Sequence, residues 1–234
     1  MPDVPPSPSP LVLLVRHGET ALNLGRERIR GWQNVPLDPK GQATVRKLAP
    51  AIATYNPRVL FSSDLLRAIE TAQIIRQALP TPAPILPSPA FRPWDVGRYT
   101  GQPVDAIKDK LQALLVDKAT PAPGGESYLT FAERFLSALS QLFLFAQAAP
   151  FPIALITHSR NVRVVRALFE HGVNGVLHEP PGKVLLRDED PIAPGGFAVL
   201  RWEGHEWKWG DEHDHPPSSG TAPTGPTQAG LSVE

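Results

Sequence analysis

The sequence predicts an α/β protein, a three-layer sandwich in which helices cover both faces of a mainly parallel central sheet. Three observations predict it. Short apolar runs bounded by polar or Pro signals recur along the chain, helical patterning follows each of them, and no internal repeat interrupts the alternation between residues 11 and 210. Residues 11–15 (LVLLV) are too short for a helix and read as a buried strand. A helix is expected over residues 41–54, then a strand over 59–61. Ser62, Ser63 and Asp64 form a natural N-cap cluster for the next helix, 65–78. The longest helix runs from about Ser127 to Ala148, with Phe131, Phe135, Leu139, Leu142 and Ala146 on one stripe and Gly124-Gly125 as the break before it. Residues 153–157 give a third buried strand and 160–171 a helix behind it. Residues 196–202 and 206–209 form a hairpin turning at Glu203-Gly204, in which Trp202, Trp207 and Trp209 serve packing.

The termini differ from this body. Residues 1–10 and 211–234 are rich in Pro, Ser, Thr and Gly and poor in large apolar side chains, so they cannot offset the entropy of ordering. They are expected to be a disordered Pro-rich leader and a disordered tail around one domain, 11–210. Lys plus Arg number 23 and Asp plus Glu 23, so no overall field recruits nucleic acid or an anionic membrane, and any anion site must be local. Cys is absent, which removes disulfides, thiolate nucleophiles and Cys-based zinc sites together. No run reaches the ~18 consecutive apolar residues of a membrane span. The first ten residues have five prolines and no basic region of an export signal, so a cytoplasmic location is expected.

In sheets of this class ligands sit beyond the carboxyl ends of the strands. Three strands deliver basic or imidazole groups to that rim: the first ends in Arg16-His17-Gly18-Glu19-Thr20, the second in Ser62-Ser63-Asp64 with Arg67 one turn on, and the third in His158. Two Arg and two His suit phosphoryl transfer, which needs fixed donors for three non-bridging oxygens and one in-line nucleophile. Gly18 would let the backbone approach a ligand or adopt a conformation closed to side chains.

Here the chain resembles the histidine phosphatase superfamily, with its phosphoglycerate mutase-like fold. The resemblance is carried by Leu14-Val15-Arg16-His17-Gly18-Glu19-Thr20 with Asn23, by Gly31-Trp32 through Pro36-Leu37 to Gly41-Gln42-Ala43, and by Ser62-Ser63-Asp64-Leu65 with Arg67-Ala68 and Thr71-Ala72. Gly124-Gly125-Glu126-Ser127, Arg134 and Thr157-His158 extend it, so it spans about residues 11 to 170. It implies that His17 attacks phosphorus to give a phosphohistidine that water hydrolyses. It also implies that Arg16, Arg67 and His158 clamp the phosphoryl oxygens, that Asn23 adds a hydrogen bond, and that no metal or other cofactor takes part. The imidazole must be neutral at its attacking nitrogen, with the other nitrogen held by a partner the sequence does not reveal.

The chain departs from the family in two places. The family usually has a proton-donating Glu in a stretch reading Glu, two residues, an aromatic, Gly, three residues, Gly. Counting back from Gly97 puts Pro93 in that position. Asp95, two residues on and on the same side of an extended segment, is the first substitute as acid, and Glu126 the second; their bland readings are a turn residue and a helix cap. After His158 the family often has Gly, whereas this chain reads Ser159-Arg160-Asn161. Arg160 is expected to contact substrate, with Arg163 and Arg166 at the solvated surface. The run Arg26, Arg28, Arg30, interleaved with Glu27, reads as a solvated loop or as a contact for a second anionic group. His178-Glu179, His205-Glu206 and residues 211–215 lack ligand spacing on rigid elements, so no metal is assigned.

The expected function is a metal-independent phosphatase for a small phosphorylated substrate, a phosphomonoester, with no nucleic-acid or membrane partner; the sequence does not give the oligomeric state. Two alternatives remain. A phosphoglycerate mutase shares the His, Arg and Gly-Trp features, but residues 91–128 are short and lack elements that mutases carry there. A module that only binds phosphorylated ligands is suggested by Pro93 and opposed by the intact His17.

Overall fold

An apolar strand whose side chains point alternately to two faces needs cover on both. Strand β1 (Leu11–Arg16) has it, with all six residues buried. The computed structural model describes residues 9–23, 27–179 and 190–210. Its central sheet is six-stranded, in the order β3-β2-β4-β1-β5-β6, where β2 is Val59–Ser63, β3 Ile85–Ser88, β4 Ile153–Thr157, β5 Phe197–Trp202 and β6 Trp207–Trp209. The first four strands of that order are parallel. Strand β5 returns antiparallel to β1, and β6 antiparallel to β5.

Among the described residues, five α-helices cover the sheet: α1 (Pro39–Thr54), α2 (Leu66–Ala78), α3 (Val104–Val116), α4 (Tyr128–Ala148) and α5 (Ser159–Leu177). The alternation within β1 divides the core. Leu11, Leu13 and Val15 pack with Val45 and Ile52 of α1 and Ala72 and Ile75 of α2. Val12 and Leu14 face the other layer, built on Phe131, Phe135 and Leu139 of α4, Val162 and Val165 of α5, and Ile107 and Leu111 of α3. The expected three-layer α/β sandwich is therefore the observed architecture. Helix α4 is long and apolar enough to match a membrane span in composition. Seven of its side chains, from Tyr128 to Ala146, are instead buried in this core.

Several local expectations change. Ser62, Ser63 and Asp64 do not cap α2; the Leu66 N–H donates to Asn34 Oδ1 at 2.7 Å, and Asp64 instead forms a two-point pair with Arg92 at 2.7 and 2.6 Å. Helix α1 is capped by Asp38, which accepts from Gly41 N at 2.6 Å, and α4 by Ser127, which accepts from Thr130 N at 3.1 Å. Helix α5 passes beyond residue 171 through Gly172, whose φ of 67° breaks the helical path where the sequence ended it. Two elements were not anticipated. Strand β3 contains Pro87 and is only half-buried, as suits an edge strand. Helix α3 buries Ile107, Leu111 and Leu115 at a spacing of four. The hairpin forms as expected, with Phe143 stacked on Trp207 and Phe169 edge-on to Trp209. Residues 1–8 of the expected leader and the expected tail 211–234 lie outside the described residues. Pro10 adds to the sheet margin, its carbonyl accepting from Trp202 N at 3.0 Å.

Candidate active site

Strand register sets the centre of the site. Arg16 pairs with Thr157 across the parallel ladder of β1 and β4, so the next residue of each chain segment, His17 and His158, leaves the sheet side by side. The His17 N–H donates to Thr157 O at 3.0 Å, and the two rings lie 5.0 Å apart at an interplanar angle of 63°. Both are almost fully buried. The partner that the sequence left unnamed is the neighbouring carbonyl: Gly18 O lies 2.6 Å from His17 Nδ1. A carbonyl only accepts, so Nδ1 carries the hydrogen and the Nε2 lone pair is available for attack. Burial, then the Arg67 and Arg30 charges, hold the His17 pKa well below the usual value of 6.5, which keeps the ring neutral at pH 7. Burial, Arg67 and His17 do the same for His158, both of whose buried ring nitrogens have no hydrogen-bond partner among the described residues.

The guanidiniums are tethered from behind. Arg67, on the first turn of α2, donates from Nη1 to Gln33 O at 2.8 Å and from Nη2 to Gly31 O at 3.0 Å. Gly31 turns that carbonyl inward with a φ of 47°, and a side chain there would meet Thr100 Oγ1 at 2.6 Å. Arg16 directs Nη1 to Ile192 O at 2.8 Å and to Asp190 Oδ2 at 2.7 Å. Asp190 also accepts from Arg163 Nε at 2.6 Å and from Ser159 Oγ at 2.5 Å. Burial pushes the Asp190 carboxyl up, but Arg16, Ser159 and Arg163 together hold it below its ordinary value. Both Arg16 and Arg67 are buried cations whose burial disfavours their charge. A bound dianion would relieve that cost.

Above this floor opens a cavity of about 500 Å³, within the range of small-molecule sites. Its walls include Arg16, His17, Arg67 and His158, together with Arg160, whose charge burial and Arg163 disfavour. The segment 27–31 and helix α3 form the far side.

A family model described as histidine phosphatase superfamily (branch 1) matches residues 12–179. The chain belongs to the histidine phosphatase superfamily. As a histidine phosphatase it has relatives of more than one name. It is 32% identical over 168 residues to the protein named "Probable phosphoglycerate mutase GpmB" of Proteus mirabilis, an alignment covering 69% of each chain. It is 28% identical over 215 residues to a glucosyl-3-phosphoglycerate phosphatase of Mycolicibacterium vanbaalenii, covering 84% of this chain and 93% of the relative. Among solved structures, a phosphoglycerate mutase from Thermus thermophilus superposes with a TM-score of 0.57 at 30% identity, over 82% of this chain and 94% of that one. A mycobacterial glucosyl-3-phosphoglycerate phosphatase superposes at 0.65 with 19% identity, over 86% and 98%, a likeness of fold.

The structure brings Arg16, His17, Arg67, His158 and Arg160 to one cavity, and it places four other expected residues elsewhere. Asp95 turns its carboxylate back to accept from Gly97 N at 3.0 Å and does not line the cavity. Glu126 accepts from Asp95 N at 3.0 Å and pairs with Arg134 at 2.7 Å, so it braces the loop instead of touching substrate. Arg134 in turn holds the carbonyls of Pro89, Ala90, Arg92 and Pro93. Asn23 accepts from the N–H and hydroxyl of Thr20 at 2.9 and 3.2 Å, closing a turn that follows His17. Gly18 permits close packing: a Cβ there would meet Val45 Cγ2 at 2.8 Å and Gly41 O at 2.9 Å. Pro93 does line the cavity, where it offers no proton.

Sequence reasoning misplaced Arg163 and missed Asp190. Arg163, expected at the surface, is buried against Asp190, because helix α5 turns that face toward the segment preceding β5. Asp190 lies in an acidic run, Asp188-Glu189-Asp190, that reads as an ordinary loop. Of the run read as a solvated loop or as a contact for a second anionic group, Arg28 and Arg30 line the cavity wall, and Arg28 donates to Gly101 O at 2.8 Å. Arg26 lies outside the described residues. Arg166 is on the surface as expected, paired with Glu170.

Proposed function

We propose that this histidine phosphatase hydrolyses a small phosphomonoester without a metal, through a phosphohistidine on His17. The observation that carries the reading is the Nδ1–Gly18 O contact, which leaves Nε2 of a neutral, buried imidazole as the nucleophile. Nε2 attacks phosphorus and the ester oxygen departs. Arg16, Arg67 and the second imidazole surround the non-bridging oxygens, and Arg160 lies beside the substrate. Water then attacks the phosphohistidine in line and releases phosphate. The phosphatase name of the Mycolicibacterium relative, which aligns over nearly its whole length, supports hydrolysis over transfer.

The test is turnover of an aryl phosphate by the wild type and His17→Ala in the presence of a chelator, with phosphate label trapped by an alkaline quench. The expected result is chelator-resistant turnover and alkali-stable label, both lost in His17→Ala. Equal turnover by the two proteins would overturn the reading. Formation of 2-phosphoglycerate from 3-phosphoglycerate, dependent on a bisphosphoglycerate primer, would replace it with the mutase reading that the GpmB relative raises.

A further inference from the structure

The departing oxygen of a phosphomonoester carries developing negative charge, and a site must either protonate it or stabilise it. The carboxylates lining this cavity are poorly placed to protonate it. Asp190 is held ionised by Arg16 and Arg163, Glu27 is tied to Arg30, and Asp105 stands exposed on the first turn of α3. Arg30 is differently placed. Its side chain is 12% exposed; Nη2 meets Glu27 Oε1 at 3.2 Å, while Nη1 is buried and has no hydrogen-bond partner among the described residues. Its charge acts on His17, His158, Arg16 and Arg67 alike, which puts it within electrostatic reach of all four groups on the cavity floor.

The backbone around Arg30 is fixed. Ile29 N donates to Gln102 O at 2.9 Å, Gly101 N to Ile29 O at 2.7 Å, and Gln33 N to Arg30 O at 2.9 Å. Glu27 is pinned likewise, its carbonyl accepting from Val104 N at 2.9 Å at the start of α3. The guanidinium is thus carried on a short ladder against a helix terminus in the cavity wall, with one nitrogen anchored and the other buried without a partner among the described residues.

We propose that Arg30 is a catalytic residue that stabilises the leaving oxygen electrostatically in place of a proton donor, and that Glu27 is the positioning residue that aims it. The proposal rests on the reading of His17 as nucleophile. As the Nε2–P bond forms, the ester P–O bond breaks and its electron pair stays on oxygen. That oxygen departs as an alkoxide or phenoxide that takes up the unpartnered Nη1 as its hydrogen-bond donor, and water supplies its proton on release. The guanidinium acts only as a hydrogen-bond donor and gives up no proton in the step. The rate therefore depends steeply on the acidity of the leaving alcohol, and Arg30 matters most where that acidity is lowest.

The experiment measures kcat/KM for aryl phosphates of graded phenol acidity and one alkyl phosphate, with wild type, Arg30→Gln, Arg30→Lys, Glu27→Gln and His17→Ala. Expected losses in Arg30→Gln grow from about tenfold with the best leaving group to about 10²–10³-fold with the poorest, the scale of one preorganised donor. Arg30→Lys recovers part of the loss at the poor end, and Glu27→Gln shows the same trend more weakly. Inhibition by inorganic phosphate, which has no leaving group, changes little in the Arg30 and Glu27 variants. A loss uniform across the series would overturn the proposal in favour of a grip on non-bridging oxygens, and no loss would make Arg30 structural. Should Arg30→Gln fail to fold, the Arg30→Lys series decides by the same criterion. Turnover that survives His17→Ala unchanged would instead refute the phosphohistidine reading itself, a result separable from the slope of the series.

Discussion

Replacing Asp190 with Asn tests whether the phosphate clamp is held from outside the substrate. Asp190 accepts from two guanidiniums, at 2.7 Å from Arg16 and 2.6 Å from Arg163, and from the Ser159 hydroxyl at 2.5 Å, with only 18% of its side chain exposed. Hydrogen bonds to charged groups contribute about 1.5–3 kcal/mol each, and Asn keeps one acceptor oxygen, so the net loss is about 2–4 kcal/mol. For a domain of this size that lowers Tm by about 5–15 °C. Freed from its tether, Arg16 meets the phosphoryl group in a wider range of poses, and kcat/KM falls about tenfold, or ~1.4 kcal/mol of transition-state stabilisation. The pH dependence adds a second reading. The folded Asp190 pKa is depressed, so its stabilisation is present above the unfolded value of about 3.9 and is lost as pH falls through the lower folded value. The Tm difference between wild type and Asp190→Asn should therefore be full at pH 6 and shrink below about pH 4. Thermal melts across pH and steady-state kinetics measure both. An Asp190→Asn protein that melts within about 1 °C of wild type at pH 6 with unchanged kcat/KM would refute the clasp.

Three further outcomes follow from the geometry. The acid limb of kcat/KM, corrected for the substrate's own ionisation near about 6, should lie below pH 6.5, because burial, Arg67 and Arg30 lower the His17 pKa and activity is lost only as pH drops through that value; a limb at or above 6.5 would contradict a buried neutral nucleophile. Arg67→Lys should lose about 10²-fold or more in kcat/KM, since an ammonium cannot bond both Gln33 O and Gly31 O and still face the phosphoryl group; retention of the wild-type rate on an aryl phosphate would show that the fork is dispensable. Asp95→Asn should leave the ratio of alkyl to aryl phosphate turnover unchanged, because that carboxylate caps Gly97 N; a selective loss with the alkyl substrate would restore it as the acid.

The sequence was most informative where its signal was local and apolar. Residues 11–15 and 153–157 could only be buried strands, and once they pair in parallel the meeting of His17 and His158 follows from register. The hydrophobic stripe of the long helix was equally readable, and α4 buries that face. Side-chain partners were not legible, because they depend on contacts far along the chain. Asp64 looks like a cap until Arg92, 28 residues on, takes both its oxygens. Arg163 looks solvated until Asp190 arrives 27 residues later. Helix α3 was missed although Ile107, Leu111 and Leu115 share one face, because Val104–Val116 follows a loop rich in turn residues. Asp95 shows the converse, since its bland reading as a turn residue describes it, whereas Glu126, read blandly as a helix cap, braces the loop through Asp95 N and Arg134 and leaves the cap to Ser127.

The two imidazoles sit just past the last rung of one ladder, at the ends of neighbouring strands, and on the proposed reading this separates reaction from recognition. Their spacing is inherited from the parallel ladder of β1 and β4, whereas the cavity wall away from that ladder includes residues of α3. Such a division lets the outer surfaces be remodelled, by drift or by design, while the reactive pair stays in alignment. Swapping those outer surfaces between relatives should then redirect which molecules are accepted without retuning the bond-breaking step.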